Sequence, residues 1–450
     1  MAIKNLTTGH PCKIILFFMF PVFIGNLVQQ FYHFVDALIV GRILGIKSLA
    51  SVGVTAPFIF LIISFIFATT QGFTIITAQK FGAKDYPSMR KSFAISLLLS
   101  TLLTLFLTFL SAPFTYQMLQ ILKTPQDIID DASIYLFIMF AGIFATVFYN
   151  LSSNILRALG DSKTPLYFLV FSAICNIFFD ILFIMKFNMG IAGAAYATVL
   201  SQGISTLLCV LFMFIKFPIL RLKKEDWIIK KIFVYEHLKI GIPMGFQMSI
   251  LTIGIIVLQY VINSFGSLAV AAATTAMRVE QLFSQSLVAL GATMAVYTAQ
   301  NFGANKLTRI KQGAKYAVYI NIFVSIFSFI CVLFFGNNII SLFMSEVNNT
   351  VLLLAQQYLL ITIICLIFLG FLMIYRNILQ GMGDVFMPLM SGVAELAART
   401  LCSIILGYYF GYIGVCTATP VAWISATIVL YIGYKLSLKK ILKQYTNISR

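Results

Sequence analysis

The sequence predicts an all-α integral membrane protein in which twelve transmembrane helices form two six-helix lobes. Two observations predict this fold class. Hydrophobic residues make up 60% of the 450 residues and charged residues only 10%, whereas soluble domains contain about 45–50% apolar and about 25% charged residues. In addition, two segments of the first half recur in the same order in the second half. This composition excludes a soluble enzyme.

Twelve apolar stretches are each long enough to cross a bilayer, which takes about 20 helical residues. They lie near 14-39, 49-79, 93-114, 132-156, 165-187, 191-216, 238-262, 268-299, 316-336, 352-376, 386-410 and 412-436. When basic residues at the ends of a stretch are counted with the adjoining loop, four of the 31 basic residues lie in odd-numbered loops and two, Arg278 and Arg399, lie inside spans. The other 25 lie in the even-numbered loops and the termini. The positive-inside rule therefore predicts a multi-pass protein of the cell inner membrane with both termini in the cytoplasm.

The formal net charge of +17 would indicate nucleic-acid binding in a soluble chain. Here the basic residues follow the membrane topology, which excludes nucleic acid as a partner. They indicate instead an attraction to the anionic headgroups of membrane lipids, which is strongest in the basic connection 216-239.

Two pairs of matching segments identify the internal repeat. Residues 77-85 read TAQKFGAKD and residues 298-306 read TAQNFGANK, with six of nine positions identical. Residues 154-166 read NILRALGDSKTPL and residues 377-389 read NILQGMGDVFMPL, at nearly the same offset. The repeat predicts that six spans were duplicated and that both halves cross the membrane in the same direction.

This duplication divides the chain into four segments. They are an N-lobe (1-215), a cytoplasmic basic linker (216-237), a C-lobe (238-436) and a cytoplasmic tail (437-450). Two parallel six-helix lobes suit alternating access, in which a central cavity opens to each side of the membrane in turn. The repeat therefore favours a transporter over a receptor or a simple anchor.

Four acidic residues lie inside spans, where each charge costs about 2.5–3.5 kcal/mol near the bilayer centre. Glu395 and Arg399 are four residues apart on span eleven, which favours an internally neutralised pair over a direct transport role. Glu280 and Arg278 are two apart and point to different faces of span eight. Two interpretations of Glu280 stay open: it joins the second-lobe pair, or it faces the cavity.

The other two buried acids belong to polar stripes in the first lobe. These stripes are Asp36 with His33 and Gln29 on span one, Asp180 with Asn176 and Ser172 on span five, and Thr198 with Gln202 on span six. No buried lysine or arginine of this lobe is expected to neutralise the two carboxylates. If the stripes converge, their hard oxygen ligands suit a proton or a small cation such as Na⁺. The alternative for Asp36 is that it is merely solvated at the outer end of its span.

Four segments carry a resemblance to a known family. They are FVDALIVGRILG (34-45), the repeated TAQxFGA, LRALGDSKTP (156-165) and NIFFDILFI (176-184). Together they resemble the multidrug and toxic compound extrusion (MATE) family, and its DinF-like branch more than its NorM-type branch. The resemblance implies a V-shaped pair of six-helix lobes. It also implies export of organic cations and other amphipathic compounds in exchange for H⁺ or Na⁺.

The resemblance also assigns roles to residues of the first lobe. Asp36, Asn176, Asp180 and Thr198 match the coupling-ion site of the branch, which would hold H⁺ or Na⁺. Tyr135 would belong to the same pocket, and Pro21 would be the point at which span one bends. His33, Gln29, Gln202 and Glu280 are further candidates for the pocket. Spans seven and ten carry no acid, so no cation site is expected in the second lobe.

Two other functions are alternatives to the antiporter, and each requires particular residues inside the spans. A flippase for lipid-linked saccharides, from the same superfamily, should have a basic cavity that holds pyrophosphate, and few basic residues lie inside the spans. An intramembrane enzyme would need a nucleophile-base pair or a metal-ligand cluster at membrane depth. The seven cysteines contain no Cys-x-x-Cys, and no His-x-x-x-His or Glu-x-x-His arrangement lies inside the spans. We therefore expect a non-enzymatic monomer that needs no cofactor besides the coupling cation.

Overall fold

The computed structural model describes residues 5–344 and 348–448, and in this part of the chain every regular element is helical. The α-helices are α1 (Pro11–Ile43), α2 (Ile46–Gly82), α3 (Tyr86–Ser111), α4 (Thr115–Ile121), α5 (Ile129–Ala141), α6 (Ile143–Ala158), α7 (Lys163–Asp180), α8 (Gly190–Lys216), α9 (Lys231–Asn263), α10 (Ser267–Gly303), α11 (Leu307–Ser341), α12 (Asn349–Ile364), α13 (Leu366–Gly381), α14 (Phe386–Cys416) and α15 (Ala418–Ile448). The predicted all-α fold class is confirmed.

The helices fit a multi-pass membrane protein. Within the described residues, ten helical segments are long and apolar enough to cross a membrane. Two further spans are bent: α5 and α6 meet at 44°, and α12 and α13 meet at 45°. Counting each bent pair as one span gives up to twelve, which is the number that the sequence predicts.

The two halves repeat their backbone conformations as well as their sequence. Residues with positive φ, the left-handed region that favours glycine, recur at matching positions of the two repeats. The matching pairs are Gly45 (89°) with Gly266 (88°), Lys84 (60°) with Asn305 (58°), Gly160 (87°) with Gly383 (86°), and Gly190 (59°) with Gly411 (60°). The same backbone conformations therefore recur along the two repeats, as expected for a duplicated six-span unit. Gly190 begins α8, whereas Gly411 forms a kink inside α14.

The bend in span four lies at a close contact between helices. It lies at Gly142, between α5 and α6. A Cβ atom added at Gly142 would overlap the side chain of Val199 on α8. A glycine is therefore needed for the bent span to pack closely against α8, the helix that also carries Thr198.

The chain divides into two compact units. The first unit comprises Ile24–Gly245, and the second comprises Leu6–Phe23 with Phe246–Arg450. Helices α1 and α9 thus each change unit along their length, shortly after Pro21 and Pro243 respectively. The division into functional lobes at the boundaries taken from the sequence stays a prediction.

The connection between the two repeats is shorter than the basic segment 216-239 identified in the sequence. α8 ends at Lys216, α9 begins at Lys231, and short 3₁₀ turns lie between them. At the other end of the chain, α15 continues without a break through the predicted tail to Ile448. Both repeats therefore extend their helices beyond the apolar stretches, because charged residues at a span end do not prevent helix formation.

The connection is anchored to α3 by a buried ion pair. Asp226 is buried, and its carboxylate accepts hydrogen bonds from Nε of Arg90 at 3.0 Å and from the backbone N–H of Lys223 at 2.8 Å. Phe217 and Leu220 are buried against Met89 on the same helix. A segment that its charge alone would place in solvent is thus part of the first unit.

We expect Asp226→Ala to destabilise the protein by about 2 kcal/mol, because it leaves the Arg90 guanidinium without its buried partner. The midpoint of thermal unfolding of the purified protein in detergent measures this effect. Glu225→Ala is the matched control, since Glu225 is exposed in the same turn. Equal midpoints for the two variants would show that the ion pair does not stabilise the connection.

Candidate functional site

Two carboxylates come together inside the first unit. The side chains of Asp36, on α1, and Asp180, at the end of α7, lie close to each other. Asp180 is completely buried, and Asp36 is half-buried. The predicted convergence of the span-one and span-five stripes therefore holds for these two acids.

Asp180 lies at the point where the helix changes from α to π geometry. α7 ends at this residue and continues as a π-helical turn over Ile181–Lys186. Such wide turns are rare and are found frequently at functional sites, because they redirect side chains and free backbone groups. Nothing in the sequence signals the π turn, so it is a feature of the site that sequence analysis missed.

Asn176 and Thr198 complete the predicted ion site. Asn176 lies one turn before Asp180 and is completely buried, and its Nδ2 donates to Oγ1 of Thr198 on α8 at 3.4 Å. This bond turns the Asn176 amide oxygen away from Thr198. The structure thus brings together all four residues of the predicted coupling site, and their role stays a prediction.

Several oxygen atoms of this group are buried without a hydrogen-bonding partner among the described residues. They are Asp36 Oδ1, Asn176 Oδ1, and both Oδ1 and Oδ2 of Asp180. A buried polar atom without a partner costs about 1–3 kcal/mol, and a charged one costs more. Within the described part of the chain, neither carboxylate forms a salt bridge with lysine, arginine or histidine. The arrangement is therefore suited to a cation that binds these oxygens directly.

Two buried tyrosines border the acids. Tyr135 on α5 lies near Asp36 and Asp180, as the family resemblance implies. Tyr32 lies one turn before Asp36 and close to Thr198 and Ser201. Tyr32 is not among the residues that the sequence patterns indicate, although it is four residues before Asp36 and therefore on the same face of the helix.

The other predicted pocket residues of the first unit lie outside this group. His33 and Gln29 are exposed, and His33 packs edge-on against Tyr32 with ring centroids 5.0 Å apart. Gln202 accepts a hydrogen bond from Oγ1 of Thr146 at 2.6 Å. The stripes on α1 and α8 therefore converge on the acids only in part, and contact of these three residues with a substrate stays a prediction.

The second unit contains a charged network instead. Glu395 accepts from Nη2 of Arg399 at 2.8 Å and from Nη2 of Arg376 at 3.0 Å, and all three side chains are buried. The predicted Glu395–Arg399 pair is confirmed. The sequence did not predict that Arg376 belongs to this network, because the residue lies at the end of an apolar stretch, where an arginine is expected to face the headgroups.

Glu280 lies near this network. Its carboxyl is close to Arg399, Ser284 and Tyr358, whereas Arg278 is exposed. Both interpretations of Glu280, as a member of the second-lobe network and as a residue that faces the cavity, stay predictions. Together, two arginines and two glutamates can balance one another within this unit.

The repeat shows how the two units differ. By the sequence repeat, Asn176 corresponds to Arg399 and Asp180 corresponds to Ser403. Where the first unit has an amide oxygen and a carboxylate without hydrogen-bonding partners among the described residues, the second has a guanidinium paired with Glu395 and a buried hydroxyl. The two repeats therefore differ in charge at these positions.

The described residues contain no side-chain cluster typical of a transition-metal site. No group of three or more His, Cys, Asp and Glu side chains comes together among them. A cation at the first site would therefore have two carboxylates and neutral amide, hydroxyl and phenol oxygens as ligands, which favours H⁺ or Na⁺ over zinc.

A duplicated bundle of membrane-spanning helices with buried carboxylates that form no salt bridge among the described residues is typical of a membrane transporter. The chain belongs to the MatE family of transporters, whose sequence model matches residues 21–182 and 243–413. The two matched segments correspond to the two repeats. Members of this family are transport proteins rather than enzymes, and they need no prosthetic cofactor.

The chain is similar in sequence to named bacterial proteins over nearly its full length. It is 29% identical over 451 residues to the Bacillus subtilis (strain 168) protein named "Probable multidrug resistance protein YpnP", covering 99% of this chain and 100% of that protein. It is 24% identical over 430 residues to the "Multidrug export protein MepA" of Staphylococcus haemolyticus (strain JCSC1435), covering 94% of this chain and 93% of that protein.

The fold is also that of solved structures. One is described as "Outward-facing conformation of a multidrug resistance MATE family transporter of the MOP superfamily". It superposes with a TM-score of 0.91, covers 98% of each chain and is 24% identical in sequence. The resemblance to the MATE family seen in the sequence is confirmed, whereas membership of the DinF-like branch stays a prediction.

Proposed function

We propose that this protein is a cation-coupled antiporter that exports amphipathic and cationic compounds from the cell. The observation that carries the proposal is the group of buried oxygens around Asp36 and Asp180 without partners. The names of the multidrug relatives support the substrate class. We further propose that the protein acts as a monomer in the cell membrane with both termini in the cytoplasm.

The coupling step follows from electrostatics. Two ionised carboxylates at close range in a low-dielectric site repel each other strongly, so binding of one H⁺ or one Na⁺ stabilises the pair. In this proposal the buried amide oxygen of Asn176, which has no partner among the described residues, is a further ligand of the cation, and Thr198 holds the amide in place through its Nδ2 group. When the cation leaves, the site regains negative charge and attracts a cationic substrate. Exchange of one for the other links ion entry to substrate export.

We propose that Pro21 allows α1 to respond to the charge at Asp36. α1 is one helix from Pro11 to Ile43, and Pro21 removes one of its internal hydrogen bonds. A bend at this position therefore costs little additional free energy. Because a ligand shifts a conformational equilibrium only by its difference in affinity for the two states, the cation must bind one shape of α1 better than the other.

A flippase for lipid-linked saccharides is less well supported. Such a protein needs cationic groups that are available to a pyrophosphate. The buried guanidinium groups of Arg376 and Arg399 are instead paired with Glu395.

Efflux from proteoliposomes under defined gradients tests the proposed function. We expect an inwardly directed gradient of one ion, Na⁺ or H⁺, to drive uphill movement of a fluorescent organic cation in the opposite direction. Imposing each gradient alone identifies the coupling ion, and vesicles without protein provide the background rate. Absence of uphill movement under either gradient, with the protein shown to be folded, would contradict antiport.

A further inference from the structure

A basic groove lies at one end of the second unit, away from the network around Glu395. It has a volume of about 680 Å³. Its lining residues come from the start of α11 and the end of α15: Lys311, Tyr434, Lys435, Leu438, Lys439, Leu442 and Lys443. Four of these seven residues are lysines, and none is acidic.

The lysines are arranged on one helix face. Lys435, Lys439 and Lys443 follow one another at four-residue intervals along α15, and Lys311 on α11 also lines the groove. Like charges at this spacing destabilise a helix unless an anion balances them. Within the described residues, Lys311, Lys435 and Lys439 form no salt bridge with a carboxylate.

The two helices that line the groove carry no acid of their own. Asp384 reaches α15 and accepts from Oγ of Ser437 at 2.6 Å, but it forms no salt bridge with Lys311, Lys435 or Lys439. The chain contains no Asp or Glu after Glu395, and none between Glu280 and Glu346. These two stretches contain all of α15 and all of α11. The charge of the groove is therefore suited to an anion from outside the chain.

The groove has an apolar floor next to its charged rim. Tyr434 and Leu438 are buried, whereas Lys435 and Lys439 are exposed. Lys435 also lies over the ring of Tyr431, 5.3 Å from its centroid. Lys435, Lys439 and Lys443 lie at or beyond the end of the apolar stretch 412-436, and Lys311 lies before the stretch 316-336. By composition, both walls are therefore next to the ends of spans, where tyrosines are usually enriched.

We propose that this groove binds the phosphate headgroup of an anionic membrane lipid, with the glycerol and upper acyl chain lying on Tyr434 and Leu438. A lipid supplies both parts of the complementarity, a negative phosphodiester for the lysines and apolar surface for the floor. A free phosphate ion would satisfy only the rim. The site is separate from the proposed coupling site and does not depend on the ion that is transported.

Native mass spectrometry of the full chain in detergent micelles tests this proposal. The probe is phosphatidylglycerol, with phosphatidylcholine as the neutral comparison. We expect selective binding of phosphatidylglycerol, and we expect Lys439→Gln to weaken it about fivefold, which corresponds to about 1 kcal/mol per basic residue near an anionic surface. Lys311→Gln with Lys439→Gln should weaken it about twentyfold, because both walls lose a charge.

Lys440→Gln is the matched control, since Lys440 is the next residue on α15, is exposed and does not line the groove. We expect this variant to bind phosphatidylglycerol as the wild type does. An equal loss for Lys440→Gln and Lys439→Gln would show a diffuse surface effect and overturn the proposal. Equal binding of phosphatidylcholine, or competition by glycerol phosphate as effective as that by the lipid, would also overturn it.

Discussion

Replacing Asp36 or Asp180 by Asn is expected to reduce uphill export to the background rate for cationic and neutral substrates alike. A carboxylate that only attracts the substrate is dispensable for a neutral compound, whereas one that carries the driving ion is needed for every substrate. Both acids are buried next to oxygens without partners, which is the environment expected of an ion ligand. Transport in proteoliposomes under the driving gradient, with one cationic and one neutral fluorescent substrate, measures the effect.

Binding measurements distinguish an acid that binds the coupling ion from one that binds only the substrate. Because ion and substrate binding are reciprocally linked, substrate binding to Asp180→Asn should persist but lose its dependence on pH or Na⁺. Asp130→Asn is the matched control, since Asp130 is an exposed acid in the first turn of α5. Wild-type export of neutral substrates by Asp36→Asn, with loss of cationic ones only, would make Asp36 a substrate counter-ion. The coupling site would then have to be sought at Asp180 alone or at Glu280.

The fold could be predicted from the sequence because membrane helices are encoded locally. Composition indicates the membrane, apolar stretches give the spans, and the repeat of TAQxFGA gives the duplication. The bends in spans four and ten were not predicted. At Gly142 the helix also packs closely against Val199, which is 57 residues away in sequence, so a local pattern does not indicate this contact. In the second repeat the corresponding break occurs at Cys365, so glycine is not required for the bend itself.

The candidate site was predictable in its acids but not in its details. A carboxylate inside a span is conspicuous because its burial is costly, so Asp36 and Asp180 could be recognised one by one. The π turn after Asp180 and the position of Tyr32 depend on packing between helices. Gln202 lies on the expected helix but bonds to Thr146, because a hydroxyl on α6 is nearer to it than the acids are. Helical periodicity gives the face of a residue but not its partner.

The second unit's charges are predicted to stabilise the fold and not to carry the coupling ion. Glu395 neutralises both Arg376 and Arg399. Glu395→Gln would leave two buried guanidinium groups without their carboxylate, and we expect a loss of about 3–5 kcal/mol in folding free energy, seen as a large drop in folded yield and unfolding temperature. A double substitution of Glu395 and Arg399 would remove one charge of each sign, but it would leave Arg376 without the carboxylate to which it is bonded.

The informative variant is therefore Arg399→Met combined with Glu280→Gln. It removes one charge of each sign and leaves the Arg376–Glu395 pair, whose Nη2–Oε2 distance is 3.0 Å. We expect this protein to fold and to keep the pH or Na⁺ dependence of its export, since the coupling oxygens belong to the first unit. Export rates measured under the same gradients as for Asp180→Asn make the comparison direct. If the double variant folds but loses all ion dependence while Asp180→Asn retains it, the coupling site lies in the second unit.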